Sequence, residues 1–220
     1  MGYSRRTIAA PVLPWFARAM AASINPSGYT TLPAGKIATV VTHLEMRTRP
    51  SLKPAAADGP YALRRPVQPE LAWYRDLFRR VGADWLWFTR LALDDAQLAA
   101  ILHDPAVEVH ALRHRGRDEG LLEFDFRHFP DVEIAFLGVT PNLLGKGAGR
   151  YLIGRALDLA WSRGPRRLTV HTCTLDHPRA LEFYLRNGFA PYARSIEIAD
   201  DPRLAGLLPR TAAPQVPILS

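Results

Sequence analysis

Hydrophobic and polar residues along this chain recur with the period of a strand in some segments and of a helix in others. Residues 132–139 form an apolar run of strand length that is interrupted by one carboxylate, Glu133. Pro141 and Asn142 end the run, and a glycine-rich segment follows. The next segment has an apolar helical face made of Leu152, Ile153, Ala156, Leu159 and Ala160, and a polar face made of Arg155, Asp158 and Ser162. The pattern predicts a strand, a tight turn and a helix in direct succession.

The same periodicities predict further strands and helices on both sides of this unit. Strands are expected at 36–47, at 107–114 and 120–128 as a hairpin, at 167–175, and at 190–198. Helices are expected at 70–81, from Asp94 or Asp95 to about His103, and at 178–187. The aromatic segment 84–91 is either core or the wall of a binding pocket.

Three segments fall outside this regular pattern. We expect residues 1–35 to form an N-terminal extension that packs on the domain or is mobile. We expect residues 201–220 to form a proline-rich tail that lies along the surface or is disordered. The domain itself is expected at 36–200, with a long loop at 49–69. Arg5 and Arg6 precede an apolar run as in a twin-arginine export signal, but prolines interrupt that run, and we expect a cytoplasmic protein.

Composition and charge narrow the function classes. Hydrophobic residues make up 48% and charged residues 22% of the 220 residues, as in an ordinary globular domain. The only cysteine, Cys173, excludes an internal disulfide and fits a reducing compartment. No apolar run is long enough to span a membrane, and we expect no membrane partner. The net charge of +7 comes from scattered arginines, so we expect no specific nucleic acid and a surface that attracts anions.

The glycine-rich segment has the chemistry of an anion site. Gly145, Lys146, Gly147, Ala148 and Gly149 carry little side-chain bulk, so that a ligand can approach the backbone. The first N–H groups of the following helix have no partner inside it, and the helix dipole makes that end positive. The spacing fits neither a P-loop nor a dinucleotide-binding fingerprint, because the required Gly and Ser or Thr positions are occupied by other residues. The segment therefore predicts a phosphate site or a purely structural turn.

Two motifs decide between these alternatives by resemblance. The turn resembles the Gln/Arg-x-x-Gly-x-Gly/Ala motif of the GCN5-related N-acetyltransferase (GNAT) family, which falls here on Leu144, Gly145, Lys146, Gly147, Ala148 and Gly149. A second family motif falls on His177, Ala180, Tyr184, Gly188 and Phe189. The resemblance covers about 107–198. It departs from the family at Leu144, where Gln or Arg is usual, and at His177, where Asn is usual.

The resemblance implies an α/β fold with a mixed sheet of six to seven strands and about four flanking helices. It implies acetyl-CoA as cosubstrate, an amine as acceptor, no metal, and a monomer or homodimer. The residues implied at the cofactor are Leu137, Gly138, Val139, Leu144, Gly145, Lys146, Gly147, Ala148, Gly149, Arg150 and His177. His177 either hydrogen-bonds near the cofactor or caps the last helix.

The resemblance also implies which two side chains carry the chemistry of acyl transfer. Glu133 is the candidate general base, and strand alternation puts it on the face of Ala135, Leu137 and Val139. Tyr184 is the candidate acid for the leaving thiolate, since a phenol of pKa near 10 matches a thiolate. The alternatives are a structural carboxylate and a packing tyrosine. Glu123 and Asp125 are expected on a solvated face or in the acceptor groove.

Three functions remain open at this stage. The first is direct transfer of an acetyl group to a primary amine in a ternary complex. The second is a non-catalytic acyl-CoA-binding module that regulates a partner. The third is a nucleic-acid-binding protein, which only the net charge suggests. Within the enzyme class, the acyl group could be longer than acetyl.

Overall fold

The computed structural model describes residue 25 and residues 27–50 and 59–220. The described chain divides into a short unit that ends at Leu32 and a second unit, Pro33–Ser220, which holds every element below. Most of the predicted extension 1–35 and the middle of the predicted loop 49–69 lie outside the described residues.

The described residues form seven strands and four α-helices. The strands are β1 (Lys36–Met46), β2 (Tyr61–Arg64), β3 (Val107–His114), β4 (Arg117–Asp125), β5 (Asp131–Val139), β6 (Arg167–Cys173) and β7 (Ala190–Asp200). The helices are α1 (Leu71–Gly82), α2 (Asp95–Leu102), α3 (Ala148–Trp161) and α4 (Ala180–Arg186). Asp94 caps α2 through a capping box with Gln97, as its position predicts.

All seven strands belong to one mixed sheet, in the order β2-β3-β4-β5-β6-β1-β7. Neighbours run antiparallel except β5 and β6, which are parallel. The predicted α/β class, with six to seven strands and about four helices, is confirmed. The strand β1, first in the sequence, lies inside the sheet, where Val41 is opposite Cys173 of β6 and Ser195 of β7.

The sheet separates two apolar cores. On one face, α3 packs onto side chains such as Leu44, Ile134 and Val170, all buried. On the other face, α1 packs Tyr74 and Phe78 against the sheet. We call these the α3 face and the α1 face. Burying both faces is what fixes the strand register.

The predicted boundaries differ from the structure at several elements, among them β2, β4 and α4. The strand β2 falls in the segment predicted as a loop, and its four residues are too few for periodicity to reveal. The strand β4 begins at Arg117 because a bulge at Glu119 lets it continue past the predicted turn. The helix α4 begins at Ala180, not at the predicted residue 178.

The C-terminal tail packs into the core of the domain, which corrects the prediction of a surface or disordered segment. It contains no helix or strand, but Ala213 is fully buried on the α1 face. Arg203, 3% exposed, pairs with Asp201 and donates hydrogen bonds to the carbonyls of Ala212, Ala213 and Val216. Buried charge and carbonyls satisfy one another in place of a backbone ladder, which no periodicity predicts.

Candidate active site

The parallel strands β5 and β6 separate toward their carboxyl ends. Their pairing runs from Asp131–Arg167 to Ile134–Val170, and no later pair forms in the described chain. The strand β5 nevertheless continues to Val139, paired with β4 on its other side. A wedge-shaped opening therefore begins beyond Ile134 and Val170. The predicted backbone groups of Leu137, Gly138 and Val139 lie along its β5 wall.

The glycine turn lies directly after β5 and leads into α3. Gly145 and Gly147 have φ values of +74° and +85°, a left-handed conformation that favours glycine. The helix begins at Ala148, so Gly149 and Arg150 belong to its first turn. Lys146 donates its N–H to the carbonyl of Leu143 at 3.2 Å and is therefore not one of the free amides that the sequence predicted.

Five N–H groups of this segment have no hydrogen-bond acceptor within the described residues. They belong to Gly145, Gly147, Ala148, Gly149 and Arg150. A Cβ placed on Gly145 or Gly147 would meet no atom within 4 Å, so this surface is open to a ligand. Lys146 and Arg150 are exposed beside it. Free amides at a helix N-terminus, flanked by two cations, can hold a pyrophosphate.

A side chain that the sequence did not single out supports the turn. Tyr61, from the unpredicted strand β2, donates its hydroxyl to the carbonyl of Lys146 at 2.7 Å. Its ring lies 5.8 Å from that of Tyr151 on α3. Leu144, at the family's usual Gln or Arg position, is 38% exposed.

A bulge in β5 changes which side chains share a face. Phe124 of β4 is opposite Ile134, but Glu123, the next residue back, is opposite Phe136. Ala135 is thus the extra residue on β5. Alternation, on which the prediction relied, holds on each side of the bulge but not across it.

The predicted face of Glu133 is therefore wrong. Glu133 lies on the α1 face together with Phe136 and Gly138, whereas Leu137 and Val139 lie on the α3 face. A single sequence gives no signal for the bulge. Glu133 remains beside the apex of the opening, because its partner on β6 is one pair before the last one.

Glu133 begins a row of polar side chains that crosses four strands on the α1 face. Its carboxylate lies 3.2 Å from Nδ1 of His171 on β6. His43 of β1 is directly opposite His171, with ring centroids 6.1 Å apart, and its Nε2 lies 2.9 Å from Oγ of Ser195 on β7. The hydrogen bond to Glu133 raises the pKa of His171 despite partial burial. Burial and the neighbouring His171 lower the pKa of His43.

Tyr184 lies on α4 in the core of the α3 face and is 6% exposed. Its ring packs edge-on against Phe183 and Phe189. Burial raises the pKa of Tyr184 above its ordinary value, and the charge of Asp176 raises it further. Such a phenol is better suited to donating a hydrogen bond to a thiolate than to transferring its proton outright.

An indole crosses the opening between β5 and the end of β6. Trp87 donates its Nε1–H to Asp176 at 3.0 Å, and Asp176 also accepts from Thr172 and from the N–H of Cys173. At its other end the ring lies so close to Gly138 that a Cβ there would be 3.0 Å from it. Gly138 is therefore required on this face for packing, and Trp87 forms a wall of the site.

His177 and Cys173 are the two residues of the sequence analysis that remain to be placed. His177 accepts the N–H of Arg179 on its Nδ1 at 3.1 Å, and its ring packs edge-on against Trp85. The helix-capping alternative is not met, because Arg179 is the residue before α4 and that helix begins without a side-chain cap. Burial raises the pKa of the Cys173 thiol, which disfavours a thiolate nucleophile.

Glu123 is not on a solvated face, which corrects one prediction. It is 1% exposed and accepts hydrogen bonds from Arg90 at 2.7 Å and from the hydroxyl of Tyr74. Arg90 in turn lies over the ring of Phe136. The buried pair supports the α1 side of the site. Asp125 pairs with its neighbour Arg127.

The described residues contain no group of three or more His, Cys, Asp or Glu side chains that could hold a metal ion. A membrane-crossing helix, long and apolar enough to span a bilayer, is likewise absent from the described part of the chain.

A family profile described as "Acetyltransferase (GNAT) family" matches residues 70–189, more than half of the chain. The range includes β3 to β6 and the glycine turn but omits β1, β2 and β7. In fold, the chain is similar to an aminoglycoside acetyltransferase from an uncultured soil metagenomic sample. The TM-score is 0.50 and the identity 20%, over 60% of this chain and 90% of that one.

Two curated relatives match part of the chain, and both are named mycothiol acetyltransferase. The protein from Jonesia denitrificans is 38% identical over 69 residues, which is 31% of this chain and 22% of the relative. The protein from Beutenbergia cavernae is 38% identical over 85 residues, 37% of this chain and 28% of the relative. The match thus spans about a quarter of either relative.

Proposed function

The chain belongs to the acetyltransferase (GNAT) family, and from that premise we propose that it moves an acetyl group from acetyl-CoA to a primary amine by direct attack in a ternary complex. The observation that carries the proposal is the position of the glycine turn directly beyond β5, whose backbone lines the opening. A pyrophosphate on the turn allows the rest of the cofactor to run into that opening. The thioester is then expected near the apex, beside Glu133.

The binding half of the proposal rests on the five free amides. Hydrogen bonds to charged groups are worth about 1.5–3 kcal/mol each, so a few of them outweigh the missing side chain at Leu144. Lys146 and Arg150 add exposed positive charge beside the same surface. His177 is occupied in part by the hydrogen bond that it accepts from the N–H of Arg179, and we assign it no contact that the site requires.

The chemical half of the proposal assigns one task to each candidate group. The Glu133 carboxylate, as general base, removes the proton from the attacking amine. A backbone N–H of Leu137, Gly138 or Val139 polarises the thioester carbonyl. Tyr184 donates a hydrogen bond to the departing thiolate. The amine nitrogen forms a bond to the carbonyl carbon as the carbon–sulfur bond breaks. Cys173 has no part in this scheme, which needs no acyl-enzyme.

The acceptor is expected on the α1 face, between Trp87, Phe136 and the row from Glu133 to Ser195. The relatives' name, mycothiol acetyltransferase, directs the first tests to amines related to mycothiol, and the structural neighbour's name directs them to aminoglycosides. Because acceptor sites vary while folds persist, small amines, amino acids and protein amines belong in the same panel.

Calorimetric titration with acetyl-CoA, followed by thiol release over an amine panel, tests the proposal. Binding with thiol release for one amine class supports it. Binding without release for any amine favours the acyl-CoA-binding module, and faster release from a longer acyl-CoA favours the longer acyl chain. Absence of binding contradicts the proposed function as a whole.

A further inference from the structure

We propose that His171 is the group that takes the acceptor's proton, and that Glu133 acts through it as a positioning residue. The inference rests on the proposed function and refines the identity of its base. It adds a residue on β6 that no family motif in the sequence includes.

The geometry of the pair points to this division of tasks. His171 is the first residue of β6 beyond the last β5–β6 pair, so it stands at the apex of the opening. Its Nδ1 is 3.2 Å from Oε1 of Glu133, which fixes the proton on Nδ1 when the imidazole is neutral. Nε2 has no hydrogen-bond partner in the described part of the chain. The side chain is 46% exposed, so a substrate can reach it.

The groups around His171 come from three neighbouring elements. Glu133 faces it from β5, His43 from β1 and Glu197 from β7, while Asp176 follows β6 itself. The three carboxylates raise the pKa of His171, and burial opposes them. A more basic imidazole removes a proton from an ammonium or attacking amine more readily, provided that the pH keeps it neutral. Burial and the charge of His171 lower the pKa of His43, which disfavours a second positive charge beside the imidazolium that forms.

The step balances without any further reactant. The amine nitrogen attacks the thioester carbon, the carbon–sulfur bond breaks, and coenzyme A leaves as the thiolate. The proton of the amine goes to Nε2 of His171, which becomes an imidazolium stabilised by the Glu133 carboxylate. Solvent removes that proton after product release, because both side chains are nearly half exposed.

A pair of substitutions separates the two possible bases. His171→Asn keeps an N–H donor near the position of Nδ1, and so the contact with Glu133, but it removes Nε2. Glu133→Gln removes the charge and leaves the imidazole in place. His128→Asn is the matched control, because His128 is exposed on the loop before β5. Each variant is measured for melting temperature, acetyl-CoA affinity and the pH profile of kcat.

We expect His171→Asn to lower kcat by at least 100-fold, with acetyl-CoA affinity and melting temperature close to those of the wild type. The acid limb of the kcat profile should disappear with it. Glu133→Gln should retain part of the activity and move that limb to lower pH, since the carboxylate is what raises the pKa of His171. Imidazole added to His171→Ala should restore part of the rate.

Other results overturn the inference. If His171→Asn keeps kcat within about threefold of wild type while Glu133→Gln abolishes it, Glu133 itself is the base. If His171→Asn does not fold, the Glu133→Gln variant still tests the inference. An acid limb of the kcat–pH profile at the same pH in Glu133→Gln as in the wild type overturns it. Wild-type protein that releases no thiol with any amine contradicts the proposed function before a variant is made, so the two failures are distinguishable.

Discussion

A negative charge at Gly147 should weaken the binding of acetyl-CoA, and the structure allows this effect to be separated from backbone strain. Gly147 has a φ of +85° and lies immediately before α3. A Cβ there meets no atom within 4 Å, so a side chain is added without a clash. Any such variant costs about 1–2 kcal/mol for the left-handed backbone, less for Asp and Asn than for other residues. Comparing Gly147→Asp with Gly147→Asn cancels that cost, because the two side chains have the same shape.

The difference between the two variants is then electrostatic. A carboxylate about 5 Å from each of two phosphate charges, at an effective dielectric constant of about 40, costs about 1.7 kcal/mol per charge and about 3.3 kcal/mol in all. Screening at physiological salt reduces this to about 1.8 kcal/mol. We therefore expect Gly147→Asp to bind acetyl-CoA between about 20-fold and 250-fold more weakly than Gly147→Asn.

Isothermal calorimetry at two salt concentrations measures this difference. The ratio of the two dissociation constants should fall as salt rises, because the effect is Coulombic. Melting curves of both variants check that they are equally folded. Equal affinities for the two variants would refute the assignment of the pyrophosphate to this turn and leave the glycines with a structural role only.

Three further predictions follow from buried groups. Tyr184→Phe should lower kcat by about 10- to 150-fold with acetyl-CoA affinity unchanged, the equivalent of one hydrogen bond of about 1.5–3 kcal/mol to a thiolate. Glu123→Leu should lower the free energy of unfolding by about 3–5 kcal/mol in urea titrations, because it leaves the Arg90 charge buried without its carboxylate. Arg203→Met should cost a similar amount at neutral pH. Since the Arg203 hydrogen bond lowers the pKa of Asp201, that contribution is present above an unfolded pKa of about 3.9 and is lost as pH falls below it, so the two stability curves should converge in acid.

Matched controls distinguish these outcomes from general damage. Glu182→Gln breaks an exposed pair with Arg186 one helical turn away and should change stability by less than about 0.5 kcal/mol. A Tyr184→Phe protein with wild-type kcat would leave that tyrosine as a packing residue. Stability curves for Arg203→Met that stay parallel to those of the wild type down to pH 2 would contradict the role given to the Asp201 pair.

The elements that periodicity could predict are those whose apolar side chains enter a core at the regular period, on one face of a helix or on alternate faces of a strand. The helix α1 and the strand β3 are of this kind, and both lie within one residue of their predicted ends. The glycine turn was also predictable, because a left-handed backbone and an open approach both select glycine.

What could not be predicted depends on contacts between distant segments. The bulge at Ala135 reverses the face of every later residue on β5, and it is set by pairing with β4, not by any local residue preference. In the sequence, His171 is one polar residue in an alternating strand. Only the pairing of β5 with β6, which brings Glu133 beside it, distinguishes it. The role of Asp176 depends on the hydrogen bond that it accepts from Trp87, 89 residues earlier in the sequence.

The place of β1 in the sheet has a consequence for the synthesis of the protein. Thr39 of β1 bonds to Thr174, 135 residues later, and Lys36 bonds to Asp200, 164 residues later. At a translation rate of about 5–20 residues per second, β1 leaves the ribosome on the order of ten seconds before either neighbouring strand. Val41 and Leu44, both buried in the finished sheet, spend that interval without a partner on either edge. We expect the nascent chain to depend on a chaperone that shields this strand, and refolding to be slow compared with proteins of mostly local contacts.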